Sequence, residues 1–460
     1  MGNRKKQRNV SIPRASVGRG FVEPRYSAKA RSFMMIVGPW YLRLLEGVGK
    51  VYLRDEQLLI DELERFYSGD HRLIIAFRHV AKEDAPVMMY TLSRRIQRFI
   101  RKRNRNKPKA ERIIAHAQFL YGSDVLEWAG KAAAWLFPRI GCVPVQNRGA
   151  NKNGLNILRK AMREGKFPIA LAPEAQVTYQ MYMCSSIAPG IASLATWGEE
   201  SSKEVTIIPI SLGYRHSEEP ENFIRSVLAR WESQTGIPLE GRDKHPILTL
   251  LQEATVKTVI MLEQLFQIEL PTDSTSTLRD RILTICDKAL VQAESMAGLD
   301  REGSLLDRVF RLRYRGVEDI HPQEFNPKHL SPVGRSIADR HAMEAHIYLR
   351  HSQLVDVLEY IDPSYIAAPC SAGRACEYAL NLLDVTNRLS GGNINTRYSP
   401  RGKAALVDVG KPIRLSKIQA KGTAGNRKKR LQQISEAVSD SLQDVSRSME
   451  GHWENRYFES

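Results

Sequence analysis

Two residues in this chain, His79 and Asp84, combine types and spacing suited to proton transfer. Histidine is the side chain whose ordinary pKa lies closest to neutrality, so it can take a proton from a hydroxyl in one step and release it in the next. A carboxylate that holds one ring nitrogen fixes the tautomer and stabilises the imidazolium that forms. This is the base-and-orienter arrangement of hydrolytic triads with the protein nucleophile omitted, so the substrate's own hydroxyl would attack. The alternative is a strand-end histidine and a helix-capping aspartate with no joint role. A second pair with the same spacing, His351 and Asp356, falls in a stretch that reads as continuous helix. Five steps of about 100° put those two side chains roughly 140° apart, so that pair is read as chance.

The elements around the first pair are those that would bring it together. Leu73-Ile74-Ile75-Ala76-Phe77 is an apolar run of the length of a buried strand, and Pro86 can open a helix just after Asp84. Open α/β folds place ligands at such strand ends. Beyond Pro86, Met89, Leu92, Ile96 and Phe99 step by three and four, with Arg94, Arg98 and Arg101 on another face, which predicts a basic amphipathic helix. Gly141 to Gln146 reads as a strand edge leading to Asn147-Arg148-Gly149, and Leu155, Leu158 and Met162 mark a helix stopped by Gly165. A second strand-to-turn unit, Phe167 to Gln176, again sets a carboxylate, Glu174, at the end of an apolar run. The loop after it has backbone N–H groups that could face a substrate. Val205 to Leu212 is a further strand.

Composition bounds the rest. The 460 residues are 42% hydrophobic, enough for a substantial core. The five cysteines, Cys142, Cys184, Cys286, Cys370 and Cys376, have no CxxC spacing, and the scattered histidines have no metal-ligand spacing; no metal is expected. The net charge of +17 is concentrated in residues 1–31 and 94–112, which together account for the whole excess. Each suits an anionic membrane surface; nucleic acid is disfavoured because the basic segments carry no interleaved aromatics apart from Phe99 and match no recognised module. The longest apolar run, Phe33 to Leu42, is too short to span a bilayer and is interrupted by Gly38-Pro39. It suits a bilayer interface, with Trp40 and Tyr41 at headgroup depth, or a first core helix. There is no secretory signal and no myristoylation pattern at the start, so a cytoplasmic protein with peripheral membrane association is expected.

The order of these units resembles the PlsC-type glycerolipid acyltransferase family (1-acylglycerol-3-phosphate acyltransferases). His79-Val80-Ala81-Lys82-Glu83-Asp84 looks like its catalytic His-x4-Asp block and Gly141 to Arg148 like its acceptor-phosphate block. Ala172-Pro173-Glu174 looks like the start of Phe-Pro-Glu-Gly-Thr-Arg, and Ile208-Pro209-Ile210 like its terminal strand motif. The resemblance implies an α/β fold with a mixed central sheet flanked by helices. It also implies acyl transfer from an acyl-CoA or acyl-carrier-protein thioester to a lipid hydroxyl, with no further cofactor. In that scheme His79 and Asp84 are catalytic, Arg148 meets the acceptor phosphate, Glu174 positions the acceptor, and backbone N–H groups near Ala175 and Gln176 hold the oxyanion. Where the motif has Gly-Thr-Arg this chain has Ala175-Gln176-Val177, so one phosphate-binding arginine is missing.

The match covers residues 30–216. Residues 1–30 are expected to be a basic mobile tail and 31–216 the α/β core. Helical patterns dominate 217–402, including one from Tyr365 to Leu383. Ala404 to Ile413 returns to a strand pattern that resembles the family's closing strand. Residues 217–402 are therefore expected to be a large helical insertion, with 403–460 supplying a final core strand and a C-terminal helix. Two rivals accompany the enzyme reading: a catalytically silent relative that binds a membrane or a partner, and an RNA-binding protein.

Overall fold

The structure, a computed structural model, describes residues 13–106, 113–145, 152–269, 276–418 and 427–459. Its strands are β1 Val48–Arg54, β2 His71–Phe77, β3 Gln118–Gly122, β4 Val143–Val145, β5 Ile169–Leu171, β6 Glu204–Arg215, β7 Cys370–Ser371, β8 Lys403–Val409, β9 Ile413–Arg414 and β10 Tyr457–Phe458. The central sheet runs β1-β8-β6-β2-β5-β3-β4, with β9 beside the first half of β6. β2 lies between parallel β5 and β6, whereas β8 is antiparallel to β6 and parallel to β1. The chain is thus α/β with a mixed central sheet flanked by helices.

Side chains alternate across a strand, and β2 shows why its run is apolar throughout. Leu73, Ile75 and Phe77 join the layer built with helices Ala28–Leu44, Glu56–Ser68 and Asp84–Tyr90. Ile74 and Ala76 join the opposite layer with helices Lys152–Glu164, Gly190–Glu199 and Arg427–Trp453. The C-terminal helix is therefore a core layer, buried through Ile434, Val438, Leu442 and Met449. It passes so close to the β8–β9 connection that a Cβ at Gly410 would collide with Val445.

Because β8 pairs with β6 in register Leu212↔Val407, everything between Arg215 and Lys403 is inserted between two neighbouring strands. The described residues of this segment hold six long helices and a core of their own, including Trp231, Leu250, Leu262, Ile285, Tyr348 and Leu382. That core extends onto Tyr179, in the loop after β5, so the insertion packs directly on the segment that follows Glu174.

Four local expectations change. Residues from Ala15 on are anchored: Ala15 N–H donates to Asp339 (3.0 Å), Ser16 N–H to Ile320 O (2.9 Å) and Ser27 N–H to Arg139 O (2.7 Å). The expected tail before Pro13 lies outside the described residues. The helix after Asp84 contains a π-helical stretch, Thr91–Ile96, and its wider turn moves the buried positions to Met88, Leu92, Ile96 and Ile100, leaving Phe99 exposed. The expected helix from Tyr365 begins at Ala372. Pro369 has no N–H to donate and disfavours helical backbone before it, so a short 3-10 turn, Pro363–Ile366, and β7 come first. Gly38-Pro39 does not break its run: one helix covers Ala28–Leu44.

Candidate active site

β2 ends at Phe77 and delivers His79 to the turn before helix Asp84–Tyr90. His79 Nδ1 lies 3.0 Å from Asp84 Oδ2, the same oxygen that accepts the Ala81 N–H at 2.7 Å. The other oxygen, Oδ1, accepts the Tyr214 hydroxyl at 2.6 Å. Asp84 is fully buried, while the His79 side chain is 26% exposed, so the ring is gripped through Nδ1 and stays partly open to solvent. Burial pushes the Asp84 carboxyl above the ordinary aspartate range, and the donors from His79, Ala81 and Tyr214 pull it back. Burial, followed by the charges of Asp84 and Glu83, holds Tyr214 well above its ordinary value, so the phenol keeps its proton and donates. The second pair does not meet: Asp356 binds Arg313, and His351 Nδ1 faces Ile347 O, 3.2 Å away on its own helix.

Tyr214→Phe removes one donor to a buried carboxylate. The expected cost is about 1.5–3 kcal/mol of stability at neutral pH. The cost shrinks as pH falls and Asp84 becomes protonated, because the donor stabilises the ionised form. Thermal unfolding of the two proteins across pH checks this; a pH-independent difference would count against it.

Glu174 lies beneath His79 instead of facing a substrate across a cavity. It is 1% exposed, and both its oxygens are occupied: Oε1 by Arg78 Nε at 2.7 Å and Oε2 by the backbone N–H of His79 at 2.8 Å. The carboxylate expected to face the acceptor is thus buried and held by Arg78 and the His79 N–H. Arg78, itself fully buried, also donates to Ser446 Oγ (2.8 Å), Gln180 O (2.8 Å) and Met183 O (2.7 Å). One guanidinium therefore joins the end of β2, the loop after β5 and the C-terminal helix. The Thr178 N–H donates to His79 O (2.7 Å), so the histidine's backbone is held on both sides by that loop.

Ala175 has φ +59°, a left-handed conformation in which glycine is favoured, and its N–H closes a turn to Ala172 O at 3.1 Å. That N–H is therefore not available to an oxyanion. Gln176 is 8% exposed and turns into the insertion, donating to Tyr360 OH (2.6 Å) and Glu359 Oε2 (3.1 Å). Arg148 lies outside the described residues. The structure thus gathers His79, Asp84 and Glu174, and assigns Ala175 and Gln176 to holding the loop.

Sequence reasoning missed Arg78, Tyr214, Glu83, Lys403 and Ser446. Arg78 carried a signal: a guanidinium directly after an apolar strand is buried only with a partner, and Glu174 lies three residues past the end of the adjacent parallel strand β5. Glu83 and Lys403 form a second buried pair at 2.7 Å, joined by Ser399 Oγ at 2.9 Å from Glu83. Burial pushes Glu83 up, but the Lys403 charge together with hydrogen bonds from Lys403, Ser399 and the backbone outweighs it and holds the carboxyl below its ordinary value. These partners are more than 300 residues apart in the chain, and local patterning carries no trace of them.

An open cleft of about 500 Å³ between helices Ile247–Phe266 and Leu278–Ala297, lined by Ile260, Gln267 and Arg281, shares no residue with the His79 site. Among the described residues no cluster of histidine, cysteine or carboxylate side chains could hold a metal ion. Comparison with protein-family models, with curated proteins and with solved structures gives no match.

Proposed function

We propose that the chain is an O-acyltransferase in which His79, oriented by Asp84, takes the proton of an acceptor hydroxyl as that oxygen attacks a fatty acyl thioester. The observation that carries the reading is the 3.0 Å contact from His79 Nδ1 to a fully buried Asp84, with the rest of the ring partly open to solvent. In the reaction the new C–O bond forms as the C–S bond breaks, and the imidazolium returns its proton to the departing thiolate. No acyl-enzyme is required. The donor would be acyl-CoA or an acyl-carrier protein, and the acceptor a lysophosphatidic acid or related glycerolipid. Glu174 and Arg78 act through the backbone of His79.

The test is thiol release from a labelled acyl thioester in the presence of lysophosphatidic acid, other lysophospholipids or hydroxyl acceptors without phosphate. Release that requires an acceptor and yields a labelled ester is the expected result. A second reading, a silent relative that binds without turnover, is favoured by Val177, which stands where the resembled motif has its arginine. Absence of thiol release with every one of these acceptors would favour it over the first.

A further inference from the structure

We propose that the chain docks on an anionic phospholipid surface through the outer face of helix Ala28–Leu44, with Trp135 and Arg139 at its edge. The helix is buried on one side through Arg31 and Leu42. On the other, Phe33 is 52%, Ile36 67%, Trp40 65%, Leu44 58% and the following Leu45 73% exposed. At about 100° per residue, Phe33, Ile36, Val37, Trp40 and Leu44 fall within roughly 100° of one another. That is a continuous apolar stripe facing water, of the kind that marks an interaction surface.

Charge selects the occupant. No acidic residue occurs between Ala28 and Leu45, and Lys29 and Arg43 are exposed. Trp135 extends the stripe by an edge contact with Phe33, ring centres 6.1 Å apart, and the Arg139 guanidinium lies over the Trp135 ring at 4.9 Å. Exposed aliphatic and indole groups rimmed by cations suit the boundary between acyl chains and anionic headgroups. Among the described residues no helix is long and apolar enough to cross a membrane, so this helix would lie on the surface. This face is the Phe33–Leu42 run whose composition suits a bilayer interface, and it adds to the basic segments 1–31 and 94–112.

The C-terminal end of the stripe is tied to the His79 turn. Glu46 accepts the Tyr41 hydroxyl at 2.5 Å and pairs with Lys82 at 3.3 Å, two residues before Asp84. Docking would hold Nε2 near the lipid–water boundary, where an acceptor could reach it without leaving the membrane. This last consequence rests on the acyl-transfer reading; the docking does not.

Flotation of the full chain with phosphatidylcholine vesicles, with and without phosphatidylglycerol, is the test. Wild type should float with the phosphatidylglycerol-containing vesicles and less so as salt rises. Trp40→Glu combined with Ile36→Glu should lower the bound fraction roughly tenfold or more. Lys29→Glu with Arg139→Glu, which leaves the apolar stripe intact, should weaken binding only to the anionic vesicles, so the charge claim stands apart from any folding defect of the first variant. Three results would overturn the proposal: no flotation of wild type with either vesicle, wild-type binding by both variants, or a solution dimer that the Trp40 substitution splits without any vesicle binding. Flotation reads no turnover, so its failure leaves the enzymatic reading intact, and absent thiol release leaves docking intact.

Discussion

Replacing His79 by alanine is expected to lower acyl transfer by about 10²–10⁴-fold, the range supplied by a positioned general base. The fold should survive. The ring is partly exposed, and the Asp84 carboxylate keeps two other donors, the Ala81 N–H and the Tyr214 hydroxyl. Asp84→Asn should also be strongly impaired, for a different reason. An amide can donate to Nδ1, which favours the tautomer with its proton on Nε2, and a protonated Nε2 cannot take the acceptor's proton. Single-turnover transfer from a labelled thioester, measured alongside thermal unfolding, separates these effects from damage to the fold. Turnover near wild type in His79→Ala would remove the proposed mechanism.

The strand-end pair and the strand before it were legible because both follow from short-range rules. An apolar run of strand length must be covered on both faces, and a histidine just past its end is then held at the sheet's C-terminal edge. The return of the sheet at Ala404–Val409 was legible for the same reason. The role of Glu174 was not. A carboxylate after an apolar run reads equally as a substrate contact or as a buried partner; only the three-dimensional place of Arg78 decides, and Arg78 lies 96 residues earlier. The π-helical stretch was likewise hidden. It shifts the buried face by altering the turn width, while sequence periodicity presumes a fixed one. Gln176 could not be placed because its partners, Glu359 and Tyr360, belong to an insertion whose docking surface is set by tertiary packing.

Arg78→Met should cost about 3–5 kcal/mol of stability, the range for breaking a buried pair and leaving one charge uncompensated. The carboxylate left behind, Glu174, would retain the His79 N–H at 2.8 Å and the weak Cys184 contact at 3.9 Å in a site closed to water. Adding Glu174→Gln to Arg78→Met should recover part of the loss, because the stranded charge is removed; the double variant would then be more stable than the Arg78→Met single variant. Arg78→Lys should not substitute. The fork uses Nε for Glu174, Nη1 for Ser446 and Nη2 for the Gln180 and Met183 carbonyls, and a single ammonium cannot reach these directions together. Chemical denaturation of the three variants measures the costs. A double variant no more stable than the Arg78→Met single variant would show that Arg78 stabilises chiefly through Ser446 and the loop carbonyls. If instead the Arg78–Glu174 pair dominates, the double variant should regain stability but not activity. Restoring neutrality does not restore the hydrogen bonds that hold the loop after β5 against His79, and the ring's aim depends on that loop.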